Sequence, residues 1–400
     1  MRRHMGTVST TRPLTASRLL TLLAVTAVMV VAACSSSGSK SGSSATTGSS
    51  SSGSTGSASG ADQAGLAWAN KLISDISKRP TKLPQAISSA PLSAAPARGK
   101  RIAYISCNLD TCSSYIPVIK TIASSLGWSV TVFTSDGSAE STKQQWDNAL
   151  RLGYNGIIFT IPTDLSGITS ELREAETRHI PTTTSLTTAP IGNGFTFKAG
   201  DAATIQALGT DMAAEAIAKS GAKAKALILN FPSQPVLQVE TDAITSTFKD
   251  HCTSCQVDKI DISISQIAKD VPNIVTSYLR AHPGVDWVLP TVASMVNGMP
   301  SAFSAAGIHG VHFATAGSEP ANLANVKDGV VDAHVFWASV DSFYAQFNTL
   351  VRYFANDPPI TNVVLPEWLI TKDTTVDSVT QPSPAVHDIA QQYARLWHLS

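Results

Sequence analysis

From Lys100 onward, short apolar runs alternate with amphipathic segments almost without a break. "RIAYIS" leads into "SYIPVIKTIASSLG", and "WSVTVFT", "AESTKQQWDNALRLG", "NGIIFTI", "DLSGITSELREAETR" and "IPTTTSL" follow. The runs are too short for helices, rich in Ile, Val, Thr and Phe, and apolar enough to be buried on both faces. They predict the central strands of a parallel sheet, with helices between them. That alternation is the signature of an α/β fold. A second series begins after the hinge-like turn "IGNGFTFKAGD". There "DAATIQALGTDMAAEAIAKSG" puts Ile205, Leu208, Met212 and Ala216 on one helical face, opens on Asp201 as a cap and stops at Gly221. "KALILN", a helix over Gln234 to Lys249, "CQVDKIDIS", a helix ending near His282, "VDWVLPT", "SMVNGMPSAFSAAG", "VHFATAG" and a short helix to Asp328 complete the series. Gly156-Ile157-Ile158 and Asp286-Trp287-Val288 each follow a glycine-containing turn and open a strand-loop-helix unit. This internal echo is consistent with two lobes of like topology.

The pattern before Lys100 is different. Arg2, Arg3, Arg12 and Arg18 precede the uncharged apolar run Leu19 to Ala33. At fifteen residues it falls short of the ~20 that a membrane span needs, and it reads as a signal peptide. It ends in Val31-Ala32-Ala33-Cys34, similar to the lipobox of bacterial lipoproteins, in which the cysteine thiol takes the lipid; the alternative is an ordinary signal peptide with a chance cysteine. Ser35 to Gly60 is almost entirely Ser, Gly, Ala and Thr and has no apolar residue large enough to offset chain entropy. It predicts a flexible tether with a reach on the order of 28 Å. "ADQAGLAWANKLISDISKRP" then aligns Leu66, Ala69, Leu72, Ile73 and Ile76 on one helical face and stops at Pro80. A Pro/Ala/Ser-rich connector runs on to about Arg98.

Charge and cysteine content narrow the function classes. The 29 Lys and Arg balance the 29 Asp and Glu, with no basic stripe, which argues against a nucleic-acid partner. With Cys34 lipidated, Cys107, Cys112, Cys252 and Cys255 remain, an even number in an oxidising compartment. Two local disulfides are the economical reading. A zinc site and a thioredoxin-like C-x-x-C are the alternatives; haem attachment is disfavoured because His251 precedes the cysteine pair rather than following it.

Motifs for chemistry are scarce. The folded part holds no P-loop and no G-x-S-x-G nucleophile elbow. "GNGFTF" lacks the third glycine of a dinucleotide loop and reads as a turn. His309, His312 and His334 lack the spacing of ligands on one helix. The chain therefore reads as a non-enzyme with no cofactor and no metal.

The order of units resembles the type I periplasmic solute-binding proteins, of the ribose- and galactose-binding class that shares its fold with LacI-type effector domains. The resemblance spans about Lys100 to Thr371. "IASSLGWSVTVFTSDGSAESTKQQWDNALRLGYNGIIFTIPTD", "AHPGVDWVLPTVASMVNGMPSAFSAAG" and "NVKDG" carry it best. It implies two doubly wound parallel-sheet lobes joined by a three-crossing hinge, with ligand between the lobes at the C-terminal ends of strands. The division expected is 1–33 signal peptide, 34–60 lipidated cysteine and tether, 61–99 helix and connector, 100–198 plus 338–358 first lobe, 199–337 plus 359–372 second lobe, and 373–400 tail. The returning helix in the first lobe carries Val340, Phe343, Phe347, Leu350 and Phe354 at spacings of three and four, so it should be well buried.

The resemblance also implies where ligand residues stand. Asn108 is kept in the first loop, but Thr111-Cys112 occupies the place of two sugar-stacking aromatics, with Asp110 beside them. Ile161 replaces an asparagine, with Asp164 following. Leu186-Thr187 replaces Asp-Arg, Val292-Ala293 replaces Asn-Asp with Ser294 next, Gly317 replaces an aspartate with Ser318 beside it, and Trp337 replaces the hinge glutamine. Phe231 and Gln234 fall in a segment, up to Asp242, that aligns in no single register. A sugar hydroxyl left without a buried partner costs ~1–3 kcal/mol. These replacements therefore predict a ligand flatter or more apolar than a monosaccharide. A Cys107–Cys112 bond would staple the first ligand loop, and a Cys252–Cys255 bond would pin a surface turn. The function implied is that of a monomeric solute-binding lipoprotein on the extracytoplasmic face of the cell membrane, capturing a small molecule for an ABC permease. Alternatives are a sensor subunit of the same fold, a sugar binder with a rearranged cleft, and, least favoured, a hydrolase on an α/β scaffold.

Overall fold

The computed structural model describes residues 60–108, 110–160, 165–267 and 269–399. The signal peptide, Cys34 and the tether lie outside the described residues, as do Ile161 and Asp164.

The double-sided apolar runs become two six-stranded sheets. The first holds β1 (Arg101–Cys107), β2 (Ser129–Ser135), β3 (Gly156–Thr160), β4 (Thr182–Ser185) and β5 (Phe197–Ala199). The second holds β6 (Lys225–Asn230), β7 (Gln256–Asp261), β8 (Trp287–Pro290), β9 (His312–Gly317) and β10 (Ala333–Phe336). Their orders run β5-β4-β3-β1-β2 and β10-β9-β8-β6-β7. The same 2-1-3-4-5 winding thus occurs twice, all of it parallel. The internal echo in the sequence is this repetition. Ile102, Ala103, Tyr104 and Ile105 of β1 are fully buried, as a central strand covered by helices on both faces requires.

The chain passes between the sheets three times. After β5 it crosses at Gly200 into the helix Ala202–Lys219, capped by Asp201 Oδ1, which accepts from the N–H groups of Ala203 and Thr204. After β10 it returns through Trp337 into the helix Ser339–Ala355. The late segment is then divided: β11 (Asn362–Val363) extends the first sheet beside β5, and β12 (Leu369–Thr371) pairs antiparallel with β10 in the second.

The flanking segments join this frame. The helix Gly60–Ile76 packs on Ala202–Lys219 and Pro235–His251 of the second sheet. Buried Asp62 accepts from Thr253 Oγ1 and from the N–H and Oγ of Ser254, and Trp68 stacks on His251 at 3.6 Å between ring centres. Residues 77–100 then lead to β1, a fourth connection between the two sheets. The C-terminal segment covers the polar face of Ser339–Ala355. Asp341 accepts from the N–H groups of Ala385 and Val386, Trp397 Nε1 donates to Asn348 Oδ1, and Tyr393 stacks on Tyr344. Four of the five stripe residues of this helix are buried and Phe354 is partly so.

Candidate ligand-binding cleft

Both sheets present the C-terminal ends of their strands to one cavity of about 200 Å³. This is where doubly wound folds diverge at β1 and β3 and leave a crevice. Tyr104 of β1, Thr160 of β3, and Ser185 and Leu186 at the end of β4 line it from the first sheet. Thr291, Val292 and Ala293 after β8, and Ala316, Gly317, Ser318 and Glu319 at the end of β9, line it from the second. Ile205 and Leu208 of one helix, and Val236, Leu237 and Glu240 of another, contribute at spacings of three and four, so each set shares a helix face. The return crossing adds Trp337, Ser339, Ser342 and Phe343, and the first loop adds Cys112 and Tyr115.

A chain of hydroxyls joins the lobes across this cavity. Tyr115 Oη donates to Ser318 Oγ at 2.6 Å, and Ser339 Oγ donates to the same oxygen at 2.7 Å. The N–H of Ser318 and Nδ2 of Asn322 both donate to Glu319 Oε2. Burial, with the nearby Glu319 charge, pushes the Tyr115 hydroxyl up to about 12, so it stays a donor at neutral pH. Behind the wall, His334 Nε2 donates to Gly317 O and Nδ1 accepts from Thr315 Oγ1. Burial lowers this imidazole to about 4, which makes it a neutral brace. At the hinge, Gly200 has φ +72°, and a Cβ there would run into the Trp337 indole. Only glycine fits that crossing.

Among the described residues that line the cavity, three carry a buried oxygen with no hydrogen-bond partner: Tyr104 Oη, Thr160 Oγ1 and Glu240 Oε1. Tyr104 lies beside the Ser106 and Thr160 hydroxyls without completing a bond to either. Glu240 is 2% exposed, and burial alone pushes its carboxyl up to about 8. Native interiors rarely leave such groups unmet; other buried atoms away from the cavity, Asp211 Oδ2 and both Glu215 carboxylate oxygens among them, are unmet too, and these three are the ones that belong to residues lining it.

The sequence-predicted residues divide into several groups. Leu186, Val292, Gly317, Ser318 and Trp337 line the cavity together. Leu186 holds φ +51°, rare for a branched residue and concentrated at functional sites. Thr187 is buried beside the cavity, where its Oγ1 accepts from the N–H of Ala189. Phe231 is buried in the second lobe's core, Gln234 precedes the helix Pro235–His251, and Ser294 and Asn108 are exposed; none of the four lines the cavity. Asp110 and Thr111 fall in the short helix Asp110–Ser114. Cys107 is bonded to Cys112 and Cys252 to Cys255, with Cα separations of 5.6 and 5.3 Å. Among the described residues no cluster of His, Cys, Asp and Glu could hold a metal ion.

Sequence reading missed Tyr104, Thr160 and Glu240. Tyr104 and Thr160 sit in apolar runs that read as strand core. Glu240 sits in the segment of uncertain register, and a glutamate in a helix reads as a solvated position. Its spacing from Val236 and Leu237 was the available signal.

Two sheets of one winding, facing each other across a cavity at their strand ends, define the class of two-lobed ligand-binding proteins. Residues 113–357 match the family described as periplasmic binding protein domain, and the chain belongs to that family. Solved structures of similar fold include a galactofuranose binding protein (14% identity, 69% of this chain and 95% of that one, TM-score 0.60). Others are the arabinose ABC transporter component of Shewanella sp. ANA-3 (13%, 69% and 93%, 0.61) and the ribose ABC transporter protein of Conexibacter woesei DSM 14684 (15%, 70% and 94%, 0.61). No curated protein matches the sequence. Among the described residues no helix is long and apolar enough to cross a membrane.

Proposed function

We propose that this chain is the lipid-anchored solute receptor of an ABC importer on the extracytoplasmic face, tethered through Cys34 and acting as a monomer. Ligand binds between the lobes and stabilises the closed form, because only that form meets it from both sides. The closed form docks on the permease, and no turnover occurs on this chain. The observation that carries the reading is the shared cavity, with the Tyr115–Ser318–Ser339 chain spanning it. Tyr104, Tyr115, Trp337 and Phe343, with Leu186, Ile205 and Leu237, favour a ligand with a flatter and more apolar body than a monosaccharide. The unmatched oxygens of Tyr104, Thr160 and Glu240 require that this body carry at least one polar group. The same oxygens favour a sugar as the second reading.

Native mass spectrometry of the full, exported chain with a mixed library of sugars, nucleosides, aromatic acids, amines and lipidic compounds separates these readings. A one-to-one adduct with an aromatic or aliphatic compound bearing a polar group is expected. A monosaccharide adduct would reject the apolar body and keep the receptor, whereas no adduct with any class would count against the receptor itself.

A further inference from the structure

Among the described residues lining the cavity, Glu240 is the one carboxyl with a buried oxygen that has no hydrogen-bond partner. It shares a helix face with Val236 and Leu237, is 2% exposed, and its Oε1 has no hydrogen-bond partner. Among the described residues, no Lys, Arg or His lines the cavity. The nearby imidazole, His334, stands behind the wall with both ring nitrogens engaged. The other lining carboxyl, Glu319, already accepts two hydrogen bonds through Oε2. The titratable groups that remain on the wall among the described residues are the hydroxyls of Tyr104 and Tyr115, which supply no positive charge.

In the empty cleft burial keeps this carboxyl protonated, because ionised and without a partner it would cost several kcal/mol. A cation that reaches it stabilises the ionised form, by its charge and, where it carries an N–H, by a charge-assisted hydrogen bond, and the carboxyl gives up its proton to solvent as the cation binds. The aromatic rings of the same wall add to the selection, because their faces attract cations, more strongly where water is excluded. An anion would face two carboxyls. An uncharged apolar ligand would leave Glu240 unmet. The volume, about 200 Å³, lies below the roughly 300–1,000 Å³ of pockets for drug-sized ligands, so the ligand is small.

We infer that the cleft takes a small organic cation, with an ammonium group against Glu240 and its apolar body on the aromatic wall. The inference rests on the solute-receptor reading and narrows its ligand class.

The test is calorimetric titration of the full chain with three ammonium probes, each paired with a neutral molecule of similar shape. The pairs are choline with 3,3-dimethylbutan-1-ol, tyramine with 4-propylphenol, and ethanolamine with propan-1-ol. At least one ammonium probe should bind about tenfold or more tightly than its neutral partner. Glu240→Gln should bring the two to within about twofold, and Glu240→Asp should retain a preference for the cation. The inference is overturned if no ammonium probe outbinds its partner, or if the preference survives in Glu240→Gln. Failure here, with a neutral ligand from the library still forming a one-to-one adduct, removes the cation and keeps the receptor. Failure of both sets removes both.

Discussion

At the scale of single residues, the cleft concentrates groups that fold well only under restriction. Glu240 is raised from 4.5 to about 8 by burial, and Asp341, buried under the C-terminal segment, from 3.8 to about 7. A raised carboxyl keeps its proton in the folded state while the unfolded chain gives it up. Stability is therefore full below the ordinary carboxylate range and falls as pH rises through 4.5 toward 8, by roughly 1.4 kcal/mol per pH unit for each such group. The melting temperature of the ligand-free protein should fall between pH 5 and 8, and Glu240→Gln should flatten that fall; an unchanged slope would show Glu240 to be ionised in the fold. Gly200→Ala should cost more than about 1 kcal/mol in denaturant unfolding, because φ +72° and the Trp337 indole both exclude a methyl group. Leu186 was legible as a cleft residue but its left-handed backbone was not, since nothing in "TSLTT" announces it.

At the scale of elements, the stripe Val340, Phe343, Phe347, Leu350 and Phe354 foretold which face of Ser339–Ala355 packs inward. It did not foretell that the opposite face is covered as well. Asp341, Asn348 and Arg352 stand off that stripe, yet each is buried: Asp341 and Asn348 are met by Ala385, Val386 and Trp397, far away in sequence, and Arg352 donates to distant Ala90 O and to nearby Pro358 O. Periodicity reports contrast between faces and cannot see a segment that supplies polar partners. Truncation after Ser383 should therefore lose on the order of several kcal/mol in denaturant unfolding, from the removed burial of Tyr393 and Trp397 together with the partners of Asp341 and Asn348. The Cys107–Cys112 loop is short, so replacing both residues by serine should cost only about 2 kcal/mol of stability. Cys112 lines the cavity three residues before Tyr115, so ligand affinity should fall more than stability does. Equal losses would make the bond structural only.

At the scale of the whole molecule, the alternation of buried runs and helices carried the α/β class, and the echo between Gly156 and Asp286 carried the repetition of one winding in two sheets. The division of the late segment between β11 and β12 was less legible, because two- and three-residue strands take their sheet from neighbours rather than from pattern. So was the docking of Gly60–Ile76, whose apolar face could serve any partner surface. Together these parts make two lobes joined by three crossings and a fourth connection through residues 77–100, which meet over one cavity. In the proposed function, ligand holds the lobes closed. Spin labels at exposed Gln144 in the first lobe and Asn273 in the second allow their separation to be measured by pulsed dipolar resonance, with and without a compound that forms the one-to-one adduct. Saturating ligand should draw the distance distribution into one narrower, shorter population. An identical distribution in both conditions would contradict it.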